Sequence, residues 1–223
     1  VKIIEPSFTL HTQEGWPLTV VSGVEMLRWV ERNARISHRA EDAQTKDSWK
    51  RFIQCVVQDR GDWSVAEHVS VTATMRVDRG VSHELVRHRH FSMTQESTRF
   101  VNYKKKGGDL EFIKPIALSN QIEPSWFEAI QRSEIAYLEL LEKGVRPQEA
   151  RSVLPNALAT TISLTGNLRN WRLFFMSRVT NETHPDMKRI TIPMLTEFKK
   201  NIPILFDDID VDIKQSISLA KAR

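Results

Sequence analysis

The run Arg87-His88-Arg89-His90-Phe91-Ser92-Met93-Thr94-Gln95-Glu96-Ser97-Thr98-Arg99 crowds arginines, histidines and hydroxyl side chains into one short segment. A packed core cannot hold so many donors without partners. Either water solvates them or a ligand rich in acceptor oxygens does. The spacing favours a ligand. Ser82-His83-Glu84-Leu85-Val86-Arg87 reads as the end of a helix, and the polar run continues into a segment that can wrap a phosphate. Arginine suits that task because its planar fork donates two parallel hydrogen bonds. A basic solvated turn and a nucleic-acid patch are the competing readings of the same residues.

Other chemistry is less well supplied. His83 and His88 are five residues apart and His88 and His90 two apart, so neither pair has the helical spacing of a zinc site, and no metal centre is expected. The single cysteine, Cys55, lies between Gln54 and Val56 with no arginine or histidine close in sequence. It reads as a buried, inert thiol, and it rules out an internal disulfide framework. From Arg76 to Lys106 basic residues outnumber the acids Asp78, Glu84 and Glu96, but aromatic residues do not alternate with them as a single-strand stacking platform requires. Lys104-Lys105-Lys106-Gly107-Gly108 reads as an exposed loop.

The elements that must position these residues belong to a chain of 223 residues, with 40% hydrophobic and 27% charged residues and a net charge of +4. That length suits one domain with a substantial core. The charge is mild and suits anionic small molecules as well as nucleic acid. No apolar run reaches the length of a membrane span. Val1-Lys2-Ile3-Ile4-Glu5-Pro6 lacks a signal peptide's apolar core, so the expectation is a cytoplasmic protein.

Hydrophobic spacing predicts a helix over 22–33, opened by a Ser22-Gly23-Val24-Glu25 capping box, and another over 45–59 ended by Gly61. Val69, Val71, Ala73, Met75 and Val77 alternate with polar residues as a half-buried strand. Gly80 is expected to break that strand, and Ser82 to cap a short helix running to His90. A strand is expected over 110–113. A helix over 125–143, capped at Ser125, should use Phe127, Ile130, Ile135, Leu138 and Leu141 as its apolar face. Pro147 fits a first helical turn. Residues 158–164 can be helix or buried strand and lean to strand. Helices follow over 167–179 and 185–200. Helices dominate, strands do not alternate regularly with them, and no dinucleotide fingerprint or phosphate-loop lysine appears. The fold class is therefore α+β: a single helix-rich domain, residues 1–223, with a small central sheet.

Arg87-His88-Arg89, followed after seven residues by Ser97 and then Arg99, resembles the signature of the flavin-dependent thymidylate synthases. The resemblance runs with gaps from Arg35-Ile36-Ser37 to Pro185. Gly61-Asp62-Trp63-Ser64-Val65-Ala66-Glu67-His68 is similar to a Gly-His-x-Ser/Thr-x-x-Glu-His block, Arg151-Ser152-Val153-Leu154-Pro155 to an Ala-Arg-x-x-Leu-Pro element, and Asn167-Leu168-Arg169 to an Asn-x-Arg element. Arg178, nine residues after Arg169, matches an arginine that the family sets against the uracil ring.

The resemblance implies methylation of dUMP to dTMP, with methylenetetrahydrofolate as carbon donor and NADPH as reductant through FAD. It implies Arg178 as the catalytic group, and Glu84, Arg87, Gln95, Glu96, Ser97, Thr98, Arg99, Arg151 and Arg178 as dUMP-binding residues. Ser64, Arg87, His88, Arg89, Gln95, Asn167 and Arg169 are implied for FAD. It also implies a homotetramer with sites at subunit junctions, and neither nucleic-acid nor membrane partners. Without the resemblance, Arg169 and Arg178 read as solvated helix arginines. The sequence departs from the family at Asp62 for histidine, Leu173 for histidine or asparagine, and Phe100 for tyrosine. A non-catalytic flavin- or nucleotide-binding relative and a nucleic-acid-binding module built on 76–106 are the alternative functions.

Overall fold

A computed structural model describes residues 1–103 and 110–211, so the expected Lys104–Gly108 loop lies outside the described residues. The fold is α+β, and its centre is a pair of nine-residue strands. In β3 (Ser70–Asp78) every second residue is apolar and buried, and β6 (Ala159–Asn167) follows the same alternation. They pair antiparallel over their full length, from Ser70↔Asn167 to Asp78↔Ala159. β2 (Ser7–Thr12) adds to the outer side of β3, and β4 (Ser92–Gln95) to the outer side of β6, giving an antiparallel sheet in the order β2-β3-β6-β4.

The period of two sends Val71, Ala73 and Met75, with Ile162 and Leu164, to one fully buried face. Hydroxyls take the other face and meet across the strands, Thr72 with Thr165 at 2.8 Å and Thr74 with Ser163 at 2.7 Å. The apolar face is covered by α1 (Val20–Ile36), α6 (Leu168–Arg178) and α7 (Pro185–Asn201), through Leu27 and Val30, Trp171 and Phe175, and Met194 and Phe198. Trp171 buries its ring there and donates its indole N–H to the Val71 carbonyl at 2.9 Å, so no polar atom of that side chain is stranded.

Each central strand runs directly into a helix. Asp78 ends β3 and accepts from the Val81 N–H, so α3 (Arg79–Leu85) begins at once. Asn167 ends β6 and caps α6 in the same way through Asn170. The expected break at Gly80 and cap at Ser82 are thus corrected. Gly80 lies inside α3, and Ser82 is buried within it, donating to the Arg79 carbonyl. The acid at the end of an alternating strand is a better cap because its carboxyl oxygen accepts from an otherwise unpaired first-turn N–H group.

Other expectations also shift. α1 starts at Val20, capped by Thr19, with Ser22 as the reciprocal partner of the capping box. The helix expected over 45–59 is a short α2 (Ser48–Phe52) followed by π-helix over Ile53–Asp59. Gly61 does end it, at φ +80°. Cys55 sits in the π-helical part and is half-buried rather than buried. A two-residue parallel pair joins β1 (Lys2–Ile3) to β5 (Glu111–Phe112).

α4 (Glu123–Glu142) begins two residues before the expected cap and has no side-chain cap. It buries Ile130 and Tyr137 in a separate cluster with Leu110, Phe112, Ala150 and Leu158. Phe127 and Ile135, expected on the apolar face, are exposed. Five residues separate Ile135 from Ile130, a rotation of about 140°, and the small cluster covers only one stripe of the helix. α5 (Pro147–Ala150) starts at its proline as expected.

One contact sets the distance between α1 and α7. A Cβ added to Gly23 would lie 1.8 Å from the backbone oxygen of Asn201. Backbone cannot yield as a flexible side chain can. Gly23→Ala should therefore destabilise the protein towards the upper end of the about 1–3 kcal/mol typical of overpacking, read from the urea midpoint at unchanged slope. A wild-type midpoint would show that the two helices separate freely.

Candidate active site

The two strand–helix units bring distant residues together. β3 and β6 are antiparallel, so α3 and α6 start from opposite ends of the ladder and fold back over the same buried face. Their C-terminal ends meet. Arg178, at the last position of α6, donates from Nη1 to Glu84 Oε2 at 3.0 Å and from Nε to His88 Nε2 at 2.8 Å. Thr191 of α7 donates to the Arg178 carbonyl at 2.8 Å and fixes the backbone there.

His88 lies in the turn after α3, with its ring edge-on to Phe174 at 4.8 Å and to Phe91 at 6.5 Å. Phe91 reaches this place only because residue 166 is glycine: a Cβ there would lie 2.4 Å from the Phe91 ring. Burial first, and the Arg178 charge second, push the His88 imidazole down from 6.5 to about 4. On the same turn Arg87 and Arg89 are exposed and form no ion pair with the described residues. Asn170 of α6 donates to the His90 carbonyl at 2.9 Å and ties the turn to the helix.

The second half of the run forms β4 and the turn beyond it. Gln95 donates to Ser82 Oγ at 2.9 Å and to Thr160 Oγ1 at 3.3 Å. α3 thus touches both groups of residues, through Ser82 on one side and Glu84 on the other. Buried Thr98 accepts from Arg151 Nη1 at 3.2 Å. Ser97 Oγ accepts from the Arg99 N–H at 3.3 Å, and the exposed Arg99 guanidinium lies 5.5 Å from the Phe100 ring centre. Glu96 differs from its neighbours in that both its oxygens are engaged within the fold: Oε2 accepts from Arg76 at 2.8 Å and Oε1 from Tyr103 at 2.6 Å. Burial, then the bond to Glu96, raise the Tyr103 phenol well above its usual range.

Ser64, Asn167 and Arg169 lie elsewhere. Ser64 is exposed in the 3₁₀ turn Trp63–His68 and lines a cleft of about 480 Å³ with Arg35, His38, Arg60 and Asp62. Arg169 pairs with Glu67 of that turn at 2.6 Å, and Asn167 commits its Oδ1 to capping α6. Asn167 and Arg178 flank the whole of α6, which puts about 16 Å between them. Sequence reasoning missed Arg76, Tyr103, Ser82 and Thr160, which hold Gln95 and Glu96 in place. Arg76 carried a signal, since a polar residue on an alternating strand points to the face that the core does not occupy, whereas Thr160 is buried on the apolar face with Ile162 and Leu164 and spacing gave no sign of it.

Residues 19–204 match the family described as thymidylate synthase complementing protein. The flavin-dependent thymidylate synthase of Mycobacteroides abscessus is 36% identical over 185 residues, which cover 75% of this chain and 71% of that one. The enzyme of the same name from Mycolicibacterium gilvum is 34% identical over 227 residues, covering 94% and 88%. Among solved structures, a UMP/dUMP methylase, PolB from Streptomyces cacaoi, bound with 5-Br dUMP, shares the fold with a TM-score of 0.74 at 22% identity, over 93% of this chain and 96% of that chain.

The network behind Glu96 is open to a direct test. Tyr103→Phe removes one donor and should lower stability by about 1 kcal/mol. Arg76 also serves Glu111, at 2.9 Å, so Arg76→Met strands two half-buried carboxylates and should lower stability by about 2–3 kcal/mol. Urea denaturation reads both. Equal effects would mean that Arg76 is held by solvent rather than by its two acids.

Proposed function

Because this chain belongs to the thymidylate synthase complementing protein family, we propose that it is a flavin-dependent thymidylate synthase. It methylates C5 of dUMP to give dTMP, taking its carbon from methylenetetrahydrofolate and its reducing equivalents from NADPH through FAD. The observation that carries the reading is the fixed Arg178 guanidinium, beside a turn whose arginines Arg87 and Arg89 have no acidic partner among the described residues.

C5 of uracil is a poor nucleophile until electron density is pushed into the ring. A guanidinium beside N3 and its flanking carbonyl stabilises the anion that develops there. Arg178 has that role, with Glu84 beside it. The nucleotide phosphate is held by Arg87, Ser97, Arg99 and Arg151, with Gln95, Glu96 and Thr98 lining the same turn. Arg151 and Thr98 already meet.

The residues fit a flavin dinucleotide. Arg87 and Arg89, without an ion-pair partner among the described residues, are suited to its diphosphate, and Ser64, His88, Gln95, Asn167 and Arg169 complete the contacts. The distance of about 16 Å along α6 calls for an elongated ligand, or for donors from more than one copy of the chain. The second case accords with a homotetramer whose sites lie at subunit junctions, each subunit a single domain. When bound, FAD supplies the hydride chemistry; the protein orients it and supplies charge. The setting is the cytoplasm, where dUMP, the folate and NADPH are small-molecule partners.

The protein should retain FAD through gel filtration after reconstitution, and NADPH should bleach the flavin bands. Arg99→Ala removes a charge-assisted contact and should weaken dUMP binding by about ten- to a hundredfold while leaving flavin reduction intact. Absence of bound flavin in the reconstituted wild type would overturn the reading.

A further inference from the structure

Arg178 and His88 are 90 residues apart in sequence, yet they meet at 2.8 Å through a specific pair of atoms. A guanidinium nitrogen only donates, so His88 Nε2 must accept and carry a lone pair. The ring proton then sits on Nδ1. A protonated imidazole would set donor against donor and one positive charge against another. Phe91 and Phe174 wall the ring and hold its plane. The charged groups against it are Arg178 from α6 and, on the far side of the guanidinium, Glu84 from α3. Arg87, Arg89 and His90 of its own turn are exposed.

Two contacts at different nitrogens remove both the swing and the rotation of a planar group. An unheld arginine samples many rotamers and loses that freedom when it binds. Here Nε and one Nη1 hydrogen are engaged, which leaves the second Nη1 hydrogen and both Nη2 hydrogens for a ligand.

We propose that His88, as a neutral acceptor, is a positioning residue for Arg178: together with Glu84 it presents the outer N–H edge of the guanidinium in one orientation to the uracil ring. The proposal rests on the nucleotide-methylation reading for its effect on rate, but not for the hydrogen bond itself. The role is separate from any contact of His88 with flavin, and it explains why a histidine is set in an apolar notch that keeps it neutral.

The test compares His88→Phe, which keeps a ring and removes the acceptor, with His88→Gln, whose side-chain oxygen reaches a similar place. Both are assayed as holoenzyme at saturating FAD. His88→Phe should lower kcat by about ten- to a hundredfold, the range for losing a charged hydrogen bond. His88→Gln should recover most of that loss. In an Arg178→Lys background, which lacks Nε, His88→Phe should cause no further loss, because the effect acts through that atom. A wild-type kcat in His88→Phe at saturating FAD, or a loss that multiplies fully in the Arg178→Lys background, overturns the proposal.

Isotope-edited NMR of the folded protein decides it without turnover. His88 should be neutral at neutral pH with its proton on Nδ1, and its midpoint should rise from about 4 in Arg178→Gln but stay below 6.5, because burial, the larger cause, remains. A proton on Nε2 in the wild type overturns the clamp. A wild type that forms no thymidylate but shows the Nδ1 tautomer would instead overturn the functional reading alone.

Discussion

The antiparallel register between β3 and β6, from Ser70↔Asn167 to Asp78↔Ala159, constrains the rest of the molecule. Each strand passes into a helix through a capping side chain on its last residue, so the direction of the strand becomes the direction of approach of the helix. A slip of one residue would turn Val71, Ala73, Met75 and Val77 to the polar face and bring hydroxyls into the core, a change that the burial of those four side chains forbids. The same slip would also part Arg178 from Glu84 and His88. Burial of apolar surface in the sheet therefore fixes the geometry of a charged cluster at its edge.

That coupling explains how an arginine, a glutamate and a histidine can be held in one fixed geometry. The aromatic group Phe91, Trp171, Phe174 and Phe175 forms one edge-to-face network from the sheet to the His88 ring. Gly166 makes room for it. The polar side chains are thus oriented by packing, and the solvent-facing cations Arg87, Arg89 and Arg99 have no acidic partner among the described residues, on a surface where a negatively charged ligand would supply one.

Much of this was legible in the sequence, for physical reasons that can be named. β3 showed because one of its faces is wholly apolar. α6 and α7 showed because their apolar residues recur at helical spacing and start at Asn167 and Pro185. β2 and β4 did not: they are edge strands of four to six residues, rich in hydroxyls, and pairing rather than periodicity holds them. The cap at Asp78 was hidden because an acid following an alternating strand also reads as a turn. In the site, the run from Arg87 to Arg99 was visible as too many donors for a core. That Glu84 and His88 meet Arg178 was not, since the pairing spans 90 residues or more and follows from the ladder register. The meeting of Arg169 with Glu67 at the far end of α6 likewise follows from the fold and not from spacing.

A mechanism that activates the pyrimidine by charge at Arg178 needs no protein thiolate, and the sole cysteine is the place to challenge it. Cys55 is half-buried in the π-helical turn, and among the described residues no histidine or arginine is hydrogen-bonded to its thiol. The deciding measurement is thymidylate formation from dUMP by FAD-loaded Cys55→Ala protein supplied with methylenetetrahydrofolate and NADPH. The account predicts turnover within a few-fold of wild type, with some loss of stability from the small cavity. A folded, flavin-loaded variant that forms no thymidylate would contradict it and point to covalent attack by the cysteine.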